Sequence, residues 1–291
     1  MGRSELAETH LTEAKTIREK TLGKEHPDYA NTLEDLAILY QKMKRPEAAL
    51  ALHLEAKTVF EKTYSKAHPR YEECIRNLAV LYQKQGKSEL AGPLILESNQ
   101  LQRSFLVQST RYLSEREQAA YAASFSTDLD GLFSFAKQKP AANTQLPSIL
   151  FDNTIFYKGF LLTASNQVRR LALRDTAATR QYELLTAFHR RLAQQYVKPI
   201  AEREGVAVLE QQANELEKDL VRKVAGFGQA IRQVSWQEVR DKLQPGEAAI
   251  EFVHYRYRTP EETDSVFYSA LVLLPGDAAP RFIQLCEEQS L

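Results

Sequence analysis

The sequence contains few of the features that mark secreted or membrane proteins. It has only two cysteines, Cys74 and Cys286, which are too few for a disulfide framework or a structural zinc site. It has no run of about 18 apolar residues, so neither a membrane span nor a secretory leader is indicated. We therefore expect a protein of the reducing cytoplasm, without a membrane partner.

An excess of charge of one sign is also absent. The 291 residues include 38 lysines and arginines and 38 aspartates and glutamates, which gives a formal net charge of zero. Proteins that recognise nucleic acids through bulk charge usually carry a basic surface. The balance therefore argues against a nucleic-acid partner of that kind.

Common catalytic motifs are missing as well. The chain has no Gly-x-x-x-x-Gly-Lys-Ser/Thr loop, no Gly-x-Gly-x-x-Gly turn, no Gly-x-Ser-x-Gly elbow and no His-Glu-x-x-His pair. Its histidines are scattered, and its carboxylates follow the spacing of solvated helix faces. We therefore predict no catalytic residue, no cofactor and no metal site.

What the chain does contain is a repeat with a period of 42 residues. Two copies span 24–65 and 66–106, and a half copy spans 1–23. A fixed period in this range is typical of a solenoid, whose units bury their apolar faces only against their neighbours. The recurring segments are His26-Pro27 with His68-Pro69, Leu36-Ala37 with Leu78-Ala79, and Tyr40-Gln41-Lys42 with Tyr82-Gln83-Lys84.

The repeat resembles the long form of the tetratricopeptide repeat that is found in kinesin light chains. Pro27 and Pro69 stand where a first helical turn tolerates proline. Alanines at the helix-packing positions would let paired helices approach closely, namely Ala37, Ala49, Ala79 and Ala91. The resemblance implies an α-solenoid over residues 1–106, with a concave inner surface that binds a protein or peptide.

In that register, the first helix of each repeat lines the inner surface. Polar side chains there can hold a peptide backbone or a carboxylate. The candidate partner-binding residues are Asn31, Asp35, Gln41, Arg76, Asn77, Gln83 and Lys84, and the register places Glu34 on the same surface.

Residues 107–234 are predicted to form a helical connecting region. Ser114 and Glu117 have the spacing of a helix capping box. Between 206 and 225, apolar residues keep the spacing of a coiled coil for little more than two heptads. That length favours an antiparallel helical hairpin over a dimerising zipper.

The pattern changes at Trp236, and residues 235–291 read as a small β unit. Strands are predicted at 248–257, 266–274 and 281–285, and the short turns between them imply antiparallel pairing. Ile250 and Phe252 fall on one face of the first strand. A sheet this small leaves an apolar face open, so we expect it to need a partner layer.

This order of elements resembles proteins that couple tetratricopeptide repeats to a CHAT domain, which is caspase-like. The resemblance lies in Leu-Ser-Glu-Arg-Glu at 113–117, Tyr-Lys-Gly at 157–159 and the turn and strand at 236–252. It implies that 235–291 are the N-terminal strands of such a domain. The family's catalytic histidine and cysteine lie beyond those opening strands, so the resemblance implies that this chain lacks them.

His254 and Cys286 occur in the order of a caspase-like dyad, but their surroundings argue against one. His254 lies within a predicted strand and is not followed by glycine. Glu287 and Glu288 follow Cys286, and their charge would raise a thiol pKa, whereas a nucleophile needs it lowered. We therefore expect no peptidase activity from this chain.

Taken together, the sequence predicts a mainly α protein with a small, incomplete antiparallel β unit. The expected function is protein interaction, as the regulatory sensor portion of a longer caspase-like cysteine peptidase that partner binding activates. The alternative is a non-enzymatic scaffold or adaptor. The expected partners are a protein or peptide on the concave face, and the remainder of a CHAT domain or another chain against the strands.

Overall fold

The computed structural model describes residues 2–138, 145–225, 233–258 and 262–290. The chain forms two compact units, of which the first runs to Arg103 and the second begins at Ser104 and holds most of the sheet. Within the described ranges, no helix is both long and apolar enough to cross a membrane.

The first unit consists of helices that follow the predicted repeat. Histidine and proline start the first helix of each repeat, because proline fits the first turn and the imidazole caps it. His26 Nδ1 accepts from the Asp28 backbone N–H at 3.1 Å, and His68 Nδ1 accepts from that of Arg70 at 3.1 Å. The helices are α1 Arg3–Thr21, α2 Pro27–Lys42, α3 Pro46–Tyr64, α4 Pro69–Lys84 and α5 Ser88–Ser109, the last of which extends into the second unit.

The inter-helix turns also repeat, but with different residues at the same left-handed position. Gly23 has φ 86° after α1, and Ser65, one period later, has φ 71° after α3. Lys44 has φ 57° after α2, and its counterpart Gly86 has φ 73°. One member of each pair is therefore a non-glycine residue in a region of φ that favours glycine.

The core between the repeats contains side chains from α2, α3 and α4. Tyr29, Phe60 and Tyr71 are among its largest fully buried members. Each of the two tyrosines donates to a glutamate of the following helix, Tyr29 Oη to Glu55 at 2.8 Å and Tyr71 Oη to Glu97 at 3.0 Å. These two bonds are one period apart, so the two repeats share this tyrosine–glutamate contact as well as their sequence pattern.

The second unit begins with the helical block. Ser114 and Glu117 form the predicted capping box, since each side chain bonds the backbone N–H of the other. Glu117 also receives hydrogen bonds from Asn214 and Lys218. The helices are α6 Glu115–Ser124, α7 Ser126–Gln138, α8 Leu146–Ala172, α9 Thr176–Tyr196, α10 Val206–Ala225 and α11 Trp236–Arg240.

The predicted antiparallel hairpin is formed by α9 and α10. Leu209, Ala213 and Leu220 of α10 are buried against a cluster that includes Leu185 and Leu192 of α9. The apolar stripe of α10 is thereby covered within the chain. The hairpin interpretation is confirmed, and the coiled-coil spacing serves an intramolecular contact.

The three predicted strands form a sheet in the order β1-β2-β3. They span Ala249–Arg258, Glu262–Leu273 and Arg281–Glu287, and β2 pairs with β3 in antiparallel register. The antiparallel β unit is confirmed. The second strand begins at Glu262, four residues before the predicted start, so the predicted 266–274 is too short at that end. The prediction missed residues 262–265 because they are polar and have low strand propensity.

The two faces of the sheet differ as the alternation in β1 predicts. On one face, the rings of Tyr255 and Phe282 lie 5.3 and 6.2 Å from that of Phe133 in α7. On the other face, Phe252 is 65% exposed and Ile250 is exposed as well. The sheet therefore has a covered face and an apolar exposed face.

The sequence motifs of the helical block and the strand meet in this unit. Lys158, of the Tyr-Lys-Gly segment, donates to Glu251 at 2.6 Å and to the Phe252 carbonyl at 3.0 Å. Asp152 of the same helix accepts from the Trp236 backbone N–H at 2.6 Å. Helix α8 is thus tied to the start of the β unit at two places.

Candidate functional site

All seven predicted partner-binding residues lie on the first helices of the two repeats, and four of them differ in exposure. Asp35 and Lys84 are exposed, whereas Asn31 and Gln83 are half-buried. Asn31 Nδ2 lies 3.5 Å from Asp28 Oδ1 in the first turns of α2. Their role in binding a partner stays a prediction.

Asp35 occupies a distinctive electrostatic environment. Its partial burial raises the pKa of its carboxyl, although the nearby Arg18 and Arg70 act in the opposite direction and limit the rise. Because this carboxyl is incompletely solvated but still accessible, a positive charge on a bound partner would lower its pKa and favour the carboxylate. Asp35 is therefore the most informative of these positions to mutate.

Two further candidates, Gln41 and Asn77, are engaged inside the repeats. Gln41 Nε2 lies 2.7 Å from His53 Nε2. Asn77 Nδ2 donates to Glu34 Oε2 at 3.2 Å. A peptide that used either amide would compete with a contact that the fold already makes.

Glu34 is the centre of a buried polar cluster built by three helices. Its side chain comes from α2, and its Oε1 accepts from His53 Nδ1 of α3 at 2.7 Å and from Cys74 Sγ of α4 at 3.1 Å. His53 and Cys74 are fully buried, and Glu34 is only 9% exposed. The expectation that Glu34 is presented on the inner surface with the partner-binding candidates is therefore wrong. We call Glu34, Gln41, His53, Cys74 and Asn77 the Glu34 cluster.

His254 and Cys286 are not arranged as neighbours in the sheet. His254 lies on β1 and Cys286 on β3, and β2 runs between these strands. Two strand spacings separate their backbones by roughly 9–10 Å. The ring of His254 instead lies 6.0 Å from that of Tyr268, the residue paired with Cys286. This arrangement does not supply the hydrogen bond that a nucleophile and its base require.

The comparison with known families concerns the N-terminal part of the chain. Residues 1–61 and 35–94 match the family model of the tetratricopeptide repeat. The N-terminal region carries tetratricopeptide repeats. Such repeats generally bind protein partners, which supports an interaction role. No curated protein matches the chain, and the family match does not extend to the helical block or the sheet.

Within the tetratricopeptide region, burial determines the state of the Cys74 thiol. Desolvation, followed by the charge of Glu34, raises its pKa far above the ordinary value. The thiol therefore stays protonated, donates its S–H to Glu34 and is a poor nucleophile. An imidazole with its proton on Nδ1 can likewise donate to Glu34 while its Nε2 accepts from Gln41.

The tetratricopeptide region holds a second buried carboxylate with different partners. Glu72 Oε1 accepts from Ser98 Oγ at 2.6 Å and from Gln102 Nε2 at 2.8 Å, and Arg76 Nε lies 3.6 Å away. The predicted site residue Arg76 is thus next to a carboxylate of its own helix. The contrast with Glu34 is chemical: a side-chain amide contacts each carboxylate, but a hydroxyl and a guanidinium accompany it at Glu72, whereas an imidazole and a thiol accompany it at Glu34.

Proposed function

We propose that this chain is a protein-interaction module whose repeats bind a peptide segment on their inner surface. The observation that carries the proposal is the match of residues 1–94 to tetratricopeptide repeats. Exposed groups of both signs, Asp35 on α2 and Lys84 on α4, could hold complementary charges of a partner. Asn31, Gln83 and Arg76 supply further hydrogen-bonding groups. Gln41 and Asn77 would affect binding only indirectly, because their amides already contact His53 and Glu34 of the Glu34 cluster.

A peptide-display selection on the intact chain tests this proposal. We expect the selected peptides to lose at least tenfold in affinity when Asp35→Lys and Lys84→Glu are introduced, a change of about 1.4 kcal/mol. Glu47→Lys, at an exposed position of the second helix in the first repeat, is the matched control and should bind like the wild type. Peptides that bind all variants equally, or a failure to select any peptide, would contradict the proposal.

The finer proposal is that this module is the regulatory portion of a TPR–CHAT protein. Its support is the sequence resemblance at 113–117, 157–159 and 236–252, together with the contacts of Lys158 and Asp152 that join α8 to the β unit. In a full-length protein, a caspase-like peptidase would follow and partner binding would activate it. The chain itself would bind and not catalyse, in a cytoplasmic setting.

Reading the coding sequence beyond residue 291 tests the finer proposal. A hydrophobic strand that ends in His-Gly, followed by a Ser-Ala-Cys segment, would support a caspase-like enzyme. A coding sequence without either would favour the second candidate, a scaffold with no peptidase. That candidate also has an observation of its own, since Phe252, Ile250, Ile283 and Leu285 are exposed apolar residues of the sheet that another chain could cover.

A further inference from the structure

Three helices of the tetratricopeptide region bring three different metal-ligand types to one buried place. Glu34 supplies a carboxylate oxygen, His53 an imidazole nitrogen and Cys74 a sulfur, and these atoms all lie within 4.8 Å of one another. A carboxylate, an imidazole and a thiolate are the side-chain ligands that zinc takes in proteins. The second buried carboxylate, Glu72, accepts hydrogen bonds from Ser98 and Gln102 instead.

We propose that Glu34, His53 and Cys74 bind one zinc ion in the core of the tetratricopeptide region. Tetrahedral zinc, with bonds of about 2.0 to 2.3 Å, places neighbouring ligand atoms roughly 3.3 to 3.6 Å apart. The present separations from Glu34 Oε1 are 2.7 Å to His53 Nδ1 and 3.1 Å to Cys74 Sγ. The imidazole and the thiol therefore need to withdraw from the carboxylate by roughly half an ångström each. The imidazole nitrogen and the sulfur, which lie within 4.8 Å of each other, also need to approach by up to roughly 1.3 Å, which small side-chain rotations would supply.

The charges of the three ligands suit a divalent ion in a buried site. As the zinc–sulfur bond forms, the Cys74 thiol releases its proton to solvent and becomes a thiolate. The thiolate and the Glu34 carboxylate then carry two negative charges, and the imidazole remains neutral. Zinc balances these charges, so the occupied site has no net charge to desolvate.

The contacts around the ligands are those that a zinc-bound histidine uses. When Nδ1 of His53 binds the metal, its ring proton resides on Nε2, which lies 2.7 Å from the Gln41 amide. A rotation of that amide presents its oxygen to accept the proton, which fixes the ring for coordination. Asn77 holds the other carboxylate oxygen of Glu34 at 3.2 Å. These three side chains would leave the fourth tetrahedral position to a water.

An ion at this place would join two successive repeats. Its ligands come from α2 and α3 of the first repeat and α4 of the second. Metal binding would therefore stabilise the stacking of the repeats. This inference rests on the contacts of the Glu34 cluster and holds whether or not the inner surface binds a peptide.

Titration of the whole chelator-treated chain with Co²⁺, followed by displacement with Zn²⁺, tests the site. We expect one Co²⁺ per chain with the visible bands of tetrahedral cobalt and a thiolate-to-cobalt charge-transfer band. One equivalent of Zn²⁺ should remove both signals and raise the thermal midpoint. A wild-type protein that shows no thiolate-to-cobalt band, or that binds no stoichiometric zinc, would overturn the proposal.

Matched variants identify the ligands. Cys74→Ser, His53→Gln and Glu34→Gln should each weaken Zn²⁺ binding at least 100-fold, whereas Cys286→Ser and Glu72→Gln should bind as the wild type does. Loss of binding in Cys286→Ser with retention in Cys74→Ser would place the metal elsewhere and refute the assignment. If a ligand variant fails to fold, alkylation of Cys74 in the Cys286→Ser protein decides, because Zn²⁺ should slow it and Mg²⁺ should not.

Discussion

Replacing Ser65 with glycine should stabilise the first unit. Ser65 has φ 71° and ψ 167°, a combination that only glycine adopts readily, and such a conformation costs about 1–3 kcal/mol. Its hydroxyl contributes little in return, since it accepts from the Ala67 N–H at 3.4 Å and in an exposed setting. Glycine adds a chain-entropy cost of roughly 0.5–1 kcal/mol. The net gain should be about 1 kcal/mol.

The first unit offers a selective way to measure this gain. Cys74 is fully buried there, so its labelling by a thiol reagent in urea reports unfolding of the repeats. In a Cys286→Ser background, Ser65→Gly should raise the urea midpoint by roughly 0.5 M for an m-value near 2 kcal/mol/M. Gly23→Ser, one period earlier at φ 86°, is the reverse control and should lower it.

The reasoning fails if Ser65→Gly leaves the midpoint unchanged or lowers it. An unchanged midpoint in both variants would mean that the left-handed backbone at these turns stores no strain. If Ser65→Gly raises the urea midpoint but Gly23→Ser does not lower it, the effect belongs to Ser65 alone and not to the turn position that the two residues share.

Other predictions concern single contacts. Tyr71→Phe should lower the stability of the first unit by about 1 kcal/mol, because it leaves the Glu97 carboxylate without its phenol donor; a midpoint equal to the wild type would refute that contribution. Burial alone would raise the pKa of Glu117, but hydrogen bonds from Lys218, the Ser114 N–H and Asn214 hold it below its ordinary value. That stabilisation is present above the unfolded pKa of about 4.3 and is lost as the pH falls through the lower folded pKa. Unfolding followed by Trp236 fluorescence should therefore show that Glu117→Gln loses less stability on acidification than the wild type. The chain should show no thiol-dependent peptidase activity, and turnover that Cys286→Ala abolishes would contradict this.

The sequence predicted the repeats and the strands because both follow from local periodicity. A period of 42 residues identifies helix pairs, and histidine followed by proline marks where the first helix of each begins. Alternation of apolar residues in β1 separated the covered Tyr255 from the exposed Phe252. These features depend on neighbours in the chain, which a sequence displays directly.

The Glu34 cluster could not be predicted in the same way. His53 is 19 residues from Glu34, and Cys74 is 21 residues beyond His53, so no local motif contains them. The register of the repeat placed Glu34 on the inner surface, but its position between α3 and α4 buries it. The one sequence signal is His53 itself, a polar residue whose counterpart one period later is the apolar Ile95.

The inner surface shows a similar division between pattern and contact. The register correctly puts Asp35 and Lys84 on the first helices of their repeats, because helix position follows from spacing. It could not show that Gln41 and Asn77 are already engaged with His53 and Glu34. Side-chain partners from other helices decide which polar groups remain for a ligand.

Photo-crosslinking of a display-selected peptide tests most directly whether the inner surface binds partners. A photoreactive residue at position 84, on the first helix of a repeat, should capture the peptide, and unlabelled peptide should compete with it. The same residue at position 54, where Leu54 is exposed on the second helix α3, should capture none. Equal capture at both positions, or capture at position 54 alone, would contradict recognition by the inner surface.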